Sequence, residues 1–296
     1  MLIPAASTHP SSGESMKTIL VSAICLVILL MGCRSTLRTD SLRLYDLESR
    51  RVLADQYAVQ ALKRGRVVVV GEHHASKRHH HAQLAIIKAL HEAGIPVAIG
   101  LEMFRQESQA DLDRWVAGEL LEQAFESIYL DNWNFDWELY RPIFQFAREL
   151  NIPMVGLNVP RSVSSQVARR GFNSLSEGQK AGLNNITCEV TAHYRKFIQK
   201  AYGAHAHGGM DFEHFCEAQL LWDTAMAKNA LAYLKKHPDT TLVLLAGSGH
   251  ARKPGIPTQV HKRNALPLIV VLPETEGLFE PDTVTTAEAD YLILSF

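Results

Sequence analysis

Four consecutive valines, Val67 to Val70, run directly into Gly71-Glu72-His73-His74. A β-branched run without polar alternation reads as a strand buried on both faces, as in the interior of a parallel sheet. In such sheets, ligands bind in the crevice beyond the carboxyl ends of the strands. This strand therefore delivers a small residue, a carboxylate and two imidazoles to the place where a ligand would sit.

The same pattern recurs three times. Ile95 to Leu101 leads into Glu102-Met103-Phe104, Pro153 to Leu157 into Asn158-Val159-Pro160, and Leu242 to Ala246 into Gly247-Ser248-Gly249-His250. If these strands are parallel neighbours, Glu72, His73, Glu102, Asn158 and His250 converge on one crevice, with His74 beside them. Carboxylates and imidazoles in that number suit a divalent metal such as zinc or manganese, or the polar wall of a ligand pocket. The bland alternative is that they cap helix N-termini and hydrogen-bond one another. His79, His80 and His81 open the following helix; helical spacing puts His80 over Leu84 and Ile87, facing inward, and leaves His79 and His81 flanking.

Helical periodicity fills the intervals. Ser76 is a suitable N-cap for a helix over 77–92, ended by Gly94. Helices are expected over 52–64, 105–117 and 119–127, and from a tryptophan-rich bend (132–137) to about 150. Between 161 and 212 the strand–helix rhythm breaks. Ser176 and Gln179 have capping-box spacing, 188–201 is amphipathic and basic, and the stretch closes in a glycine-rich run holding Tyr202, His205, His207 and Met210. A long helix over 212–236 follows, whose Leu220, Leu221, Trp222, Ala225 and Met226 read as plain core. Two more strands are expected at 267–272 and 291–294. The fold class is α/β: a mostly parallel central sheet flanked by helices, with a helical insertion at about 161–212.

The first residues read as a targeting segment. Met16-Lys17 begins a credible signal peptide, with an apolar run from Ile19 to Met31 and Leu30-Met31-Gly32-Cys33 like a bacterial lipobox. An apolar run of about 13 residues is short for a membrane span and right for a signal h-region, although an uncleaved anchor helix is the alternative. The expectation is a signal peptide over 1–33, lipidation at Cys33, a polar tether over 34–51, and one domain over 52–296. Arg34 stands where an aspartate would retain a lipoprotein in the inner membrane, so the expected location is the outer membrane, facing the periplasm. Cys188 and Cys216 would remain in the mature chain, either paired or as two buried thiols; they lack the spacing of metal ligands. With 30 basic against 31 acidic residues, nothing suggests a nucleic-acid partner.

Gly71-Glu72-His73-His74, Gly100-Leu101-Glu102-Met103-Phe104, Ala218-Gln219-Leu220-Leu221-Trp222-Asp223, and Gly247-Ser248-Gly249-His250 with Gly255-Ile256-Pro257 together resemble the ChaN family. These are haem-binding lipoproteins of Gram-negative bacteria within the Tiki/TraB superfamily, and the likeness spans roughly 50–275. The resemblance implies haem as ligand, two haems stacked within a homodimer, and a role in haem or iron uptake, with an outer-membrane receptor as a further partner. It also implies an axial tyrosine, an anionic oxygen suited to ferric iron. Tyr202, beside His205, His207 and Met210, is the first choice and Tyr194 the second. Arg252 and Lys253 could pair with haem propionates or be solvated surface charges. The likeness to Tiki-type metalloproteases implies a second expectation, a metal-dependent hydrolase in which Glu72, His73 and His250 hold a divalent metal and Glu102 polarises water.

Overall fold

The computed structural model describes residues 1–2, 41–183, 186–205 and 211–294, with the backbone alone for 200–205. The signal segment, Cys33 and most of the expected tether lie outside the described residues, as do residues 206–210 with His207 and Met210. Among the described residues, no helix is long and apolar enough to cross a membrane.

The unit Asp40–Phe296 is built on eight strands: β1 (Arg43–Asp46), β2 (Arg51–Ala54), β3 (Val67–Glu72), β4 (Val97–Arg105), β5 (Met154–Asn158), β6 (Thr241–Gly247), β7 (Leu268–Pro273) and β8 (Tyr291–Ile293). They form one sheet in the order β2-β1-β8-β7-β3-β6-β4-β5. The six strands from β8 to β5 are mutually parallel. β1 pairs antiparallel with β8 and with β2. Residues 43–54, expected to be the end of a tether and the start of a helix, therefore extend the sheet as a hairpin, and the helix is confined to Gln56–Leu62.

The valine run behaves as its composition requires. All of Val67 to Val70 are fully buried, and the side chains alternate between two cores. Val68 and Val70 join Ile99, Leu101, Val243 and Leu245 beneath the helices Lys77–Glu92, Glu122–Asn132 and Trp137–Glu149. Val67 and Val69 join Leu242, Leu244, Val270 and Leu272 beneath the long helix Phe212–Lys236 and the short helix Ile256–His261. Each fully buried valine contributes ~1.5 kcal/mol or more by apolar transfer.

Two helices match their expected bounds because both have side-chain caps. Ser76 accepts from the His79 amide at 3.4 Å, and Asp211 accepts from the His214 amide at 3.0 Å. The insertion consists of the helices Arg161–Arg170, Glu177–Gly182 and Ala192–His205. Its capping box forms as the spacing predicts, with reciprocal bonds between Ser176 and Gln179. The last of these helices docks on the long helix through Tyr194, Ile198, Phe215, Cys216 and Leu220. Cys188 and Cys216 share this cluster as free thiols, and burial pushes their pKa values up to about 12 and about 11.

What positions the crevice is the order of strands. The chain leaves β3, skips a place to β4, and returns later to insert β6 between them. The helix after β3 packs on one face of the sheet and the helix after β6 on the other. Adjacent strands that send their connections to opposite faces leave a crevice at their carboxyl ends.

The outer pair carries one tight constraint. The register between β4 and β5 shifts between Leu101 and Arg105, and a Cβ on Gly156 would lie 2.5 Å from the Arg105 carbonyl oxygen. Backbone cannot swing aside as a flexible side chain would. Gly156→Ala is expected to destabilise the fold by ~1–3 kcal/mol, seen as a lower urea midpoint with an unchanged slope.

Candidate functional site at the strand ends

β3, β6 and β4 end side by side, with Glu72 opposite Gly247 and Leu101 opposite Leu245. Glu72 and Glu102 are both buried. Each organises one half of the crevice.

The first half is a chain from Tyr140 through Glu72 to His74. The Tyr140 hydroxyl donates to Glu72 Oε1 at 2.5 Å, and His74 Nδ1 lies 2.8 Å from the same oxygen. His80 Nε2 stands 3.2 Å from Glu72 Oε2, close but poorly aligned for a hydrogen bond. Burial alone would raise the Glu72 pKa; the His74 bond and the nearby imidazoles of His74 and His80 overcome it and hold the carboxyl at about 2. Burial pulls His74 down, but its bond to Glu72 and the Glu102 carboxylate raise it above the ordinary histidine value. Burial and the Glu72 charge push the Tyr140 phenol far above its usual range, so it remains a donor.

The second half runs from the insertion into the crevice. Tyr194 donates its hydroxyl to Asp223 Oδ2 at 2.6 Å, and His250 Nδ1 lies 2.7 Å from Asp223 Oδ1. His250 Nε2 is then 3.9 Å from Glu102 Oε1, while Glu102 Oε2 accepts from the Gly247 amide at 2.6 Å. Burial opposes charge on His250, but Asp223 and Glu102 raise its pKa to about 9. Burial raises the Asp223 carboxyl above its ordinary value although His250 and Tyr194 pull against it, and with His250 held at about 9 the shared proton sits on the imidazole.

The halves meet over Gly247. A Cβ there would lie 2.8 Å from His74 Cε1, 3.1 Å from His74 Nε2 and 3.7 Å from Glu102 Oε2. Glycine is needed because the imidazole occupies that space. With both Nδ1 atoms held by carboxylates, His250 turns its Nε2 edge toward Glu102 and His74 lays its Nε2 edge over Gly247. Trp133 meets the His74 ring edge-on at 5.0 Å and Phe135 lies 4.9 Å from it; Trp222 meets His250 edge-on at 5.7 Å.

The sequence-predicted residues divide accordingly. Glu72, His74, His80, Glu102 and His250 come together. His73 does not join them: it is exposed, and its backbone amide donates to His79 Nδ1 at 2.9 Å. His79, expected to flank the helix, is buried, and burial first, then Arg78, lowers its pKa to about 4, leaving it a neutral acceptor. Asn158 ties two strand ends together, donating to the Glu102 carbonyl at 2.9 Å and accepting from the Val159 amide at 2.8 Å. Two members of the site lie outside the predicted set. Asp223 is the one acid within an apolar helical stripe, which was its available signal; Tyr140 had none beyond being aromatic in an amphipathic helix. Among the described residues, no group of three or more His, Cys, Asp or Glu side chains is arranged to hold a metal ion.

The residues expected to face haem are placed as follows. Tyr194 is buried and its hydroxyl is committed to Asp223, so an axial role would require breaking that bond. Arg252 pairs with Glu288 and lies over the Phe197 ring at 4.9 Å. Lys253 pairs with Asp290 at 2.6 Å and donates to the Thr286 carbonyl at 2.7 Å. Tyr202 and His205 belong to the helix Ala192–His205, with side chains outside the described residues.

A parallel α/β sheet with a carboxylate–imidazole crevice at a topological switch point defines a general class of ligand-binding scaffold. The family model for haem-binding uptake proteins of the Tiki superfamily, ChaN, matches residues 58–260, and the chain belongs to that family. A solved structure described as cofacial heme binding to ChaN of Campylobacter jejuni is similar with a TM-score of 0.68 at 19% identity, covering 87% of this chain and 98% of that one. The structure of the type III effector HopBA1 is similar with a TM-score of 0.49 at 14% identity, covering 81% and 91%. No curated protein matches the chain.

The two chains of hydrogen bonds set a pH window. Glu72 titrates near 4.5 when unfolded and about 2 when folded, so its contribution is present above pH 4.5 and is lost as pH falls toward 2. His250 titrates near 6.5 unfolded and about 9 folded, so its contribution is present below pH 6.5 and is lost as pH rises through 9. Urea midpoints measured from pH 2 to 10 should form a plateau with two falling limbs. Glu72→Gln should flatten the acid limb and His250→Gln the alkaline one; an alkaline limb unchanged in His250→Gln would refute the ion pair.

Proposed function

We propose that this chain captures haem at the periplasmic face of the outer membrane, as a lipid-anchored homodimer holding two stacked haems, and passes it to an uptake receptor. The observation that carries the reading is family membership across residues 58–260. The ChaN structure from Campylobacter jejuni, described as binding haem cofacially, supports the stacked arrangement. The lipobox-like Leu30-Met31-Gly32-Cys33 supports the anchor.

The donor set fits the ligand in kind. A phenol supplies an anionic oxygen for ferric iron, and imidazoles and a thioether are the other common axial donors. With the Tyr194 hydroxyl committed to Asp223, Tyr202 is the axial residue of choice. It lies eight residues along the same helix, ~12 Å at 1.5 Å per residue. His205, His207 and Met210 follow on the glycine-rich run and would offer the opposite face or the rim. Arg252 and Lys253 would reach propionates by exchanging Glu288 and Asp290 for them, one carboxylate for another. Haem is the cargo here, and the protein's part is to bind, orient and release it.

Titration of the purified chain with haemin should give saturable growth of the Soret band and a shift from monomer to dimer by light scattering. Tyr202→Phe should weaken binding tenfold or more, ~1.4 kcal/mol. Absence of saturation would overturn the reading, whereas saturation untouched by Tyr202→Phe would move the axial role to another donor. In cells, Cys33→Ser should abolish incorporation of labelled palmitate and release the protein from the membrane fraction.

A further inference from the structure

Haem capture on the insertion leaves the strand-end crevice without a task. Three buried carboxylates and three imidazoles meet there, with a tyrosine bonded to a carboxylate at each far end. Such a network is costly to bury and is a poor way to gain stability compared with apolar packing. Its geometry is that of paired acid–base groups, His74 and His250 each fixed at Nδ1 by a carboxylate so that Nε2 is presented to the crevice. Both rings remain reachable, with 28% of the His74 side chain and 11% of His250 exposed.

We propose that this crevice is a metal-independent hydrolytic site for neutral carboxylic esters, with His74 as general base, His250 as general acid and Glu102 positioning the attacking water. The proposal stands independently of haem capture.

The bond changes balance with one water per ester. The water oxygen bonds to the acyl carbon while His74 Nε2 takes a proton from it. The tetrahedral oxyanion collapses, re-forming the carbonyl and breaking the bond to the alkoxy oxygen. His250 Nε2–H gives its proton to that leaving oxygen, and a proton transferred from His74 through solvent restores His250. The products are a carboxylic acid and an alcohol. The 3.9 Å from Glu102 Oε1 to His250 Nε2 is too long for a hydrogen bond, and a water oxygen can touch both atoms. Glu102 is itself pinned by the Gly247 amide, so it is a fixed acceptor for that water. Glu72 holds His74 Nδ1 and Asp223 holds His250 Nδ1, which leaves the two Nε2 atoms for proton transfer, one as a lone pair and one as N–H.

The substrate class follows from charge and walls. Three carboxylates, Glu72, Glu102 and Asp223, surround the two imidazoles that present an edge to the crevice, with His80 buried behind Glu72, which disfavours a phosphodiester or another anion. Trp133 and Phe135 beside His74, and Trp222 beside His250, flank the site with apolar faces suited to an uncharged acyl or aryl group.

The test uses the full chain in detergent, treated with EDTA, and three probes: p-nitrophenyl butyrate, 4-methylumbelliferyl butyrate and bis-p-nitrophenyl phosphate. Turnover of both butyrates should persist in EDTA, the phosphate should not be cleaved, and labelled water should place its oxygen in the butyric acid. His74→Gln and His250→Gln keep a donor toward Glu72 and Asp223, and each should lower turnover at least 100-fold while the Soret titration is unchanged. No butyrate turnover above buffer, turnover abolished by EDTA, or equal turnover in both variants would overturn the proposal. If a variant fails to melt cooperatively, the wild-type turnover and oxygen label still decide. Because haemin binding is read separately, failure of either function is distinguishable from failure of the other.

Discussion

Glu72 is the charge on which the crevice depends. It closes a strand whose previous residues are all buried, and it sits where a bare carboxylate would be most costly, several kcal/mol even after relaxation. Tyr140, His74 and His80 offset that cost from three directions. Two of these lie in or beside the helix that follows β3, and the third lies in a helix more than sixty residues away. The carboxylate thus clamps the helices Lys77–Glu92 and Trp137–Glu149 to the end of β3, and their aromatic packing follows. Trp115, Phe125, Tyr129, Trp137 and Phe144 fill the layer behind it, with Trp115 stacked on Phe125 at 4.3 Å and donating to the Phe144 carbonyl. Removing the acid would leave the buried His80, the half-buried His74 and a phenol facing one another.

The sheet interior was legible in the sequence because a two-sided burial demands continuous apolar residues, and Val67–Val70 and Leu242–Ala246 satisfy it without ambiguity. The helices over 77–92 and 212–236 were legible because Ser76 and Asp211 mark their starts. Residues 43–54 were not: a short edge hairpin carries no apolar run, and only its pairing with β8 makes it a strand. The crevice was half legible. Carboxylates and imidazoles at strand ends can be counted from sequence, but which ring turns inward depends on partners far away in the chain. His74 rather than His73 faces the crevice because Glu72 and the Trp133–Phe135 bend hold its ring. Asp223 was hidden by its neighbours, since a stripe of Leu220, Leu221, Ala225 and Met226 reads as core whatever acid it contains.

Tyr194 joins the two regions that sequence reading treated separately. It stands on the last helix of the insertion, yet its hydroxyl ends in the crevice on Asp223. Two neighbours reinforce it: Arg195 forms a paired contact with Glu213, and Phe197 lies under the Arg252 guanidinium. The surface ion pair adds little by itself. The buried phenol–carboxylate bond matters more, because breaking it leaves an acceptor of Asp223 unpaired beside a charged imidazole.

That connection ties the helix Ala192–His205 to the Asp223–His250 pair. A movement of the helix Ala192–His205 large enough to free the Tyr194 hydroxyl would remove a donor from Asp223. The carboxylate would then hold the His250 proton more firmly, making His250 a weaker acid. By the same linkage, protonation of His250 draws on the Asp223 carboxylate and weakens the bond it accepts from Tyr194, which favours release of the helix. Linkage of this kind acts through one hydrogen bond and requires no change in the sheet, whose parallel strands are buried on both faces. The rigid part of the molecule is therefore the valine-rich centre. The helix Ala192–His205 of the insertion is coupled to the crevice through a buried tyrosine, Tyr194.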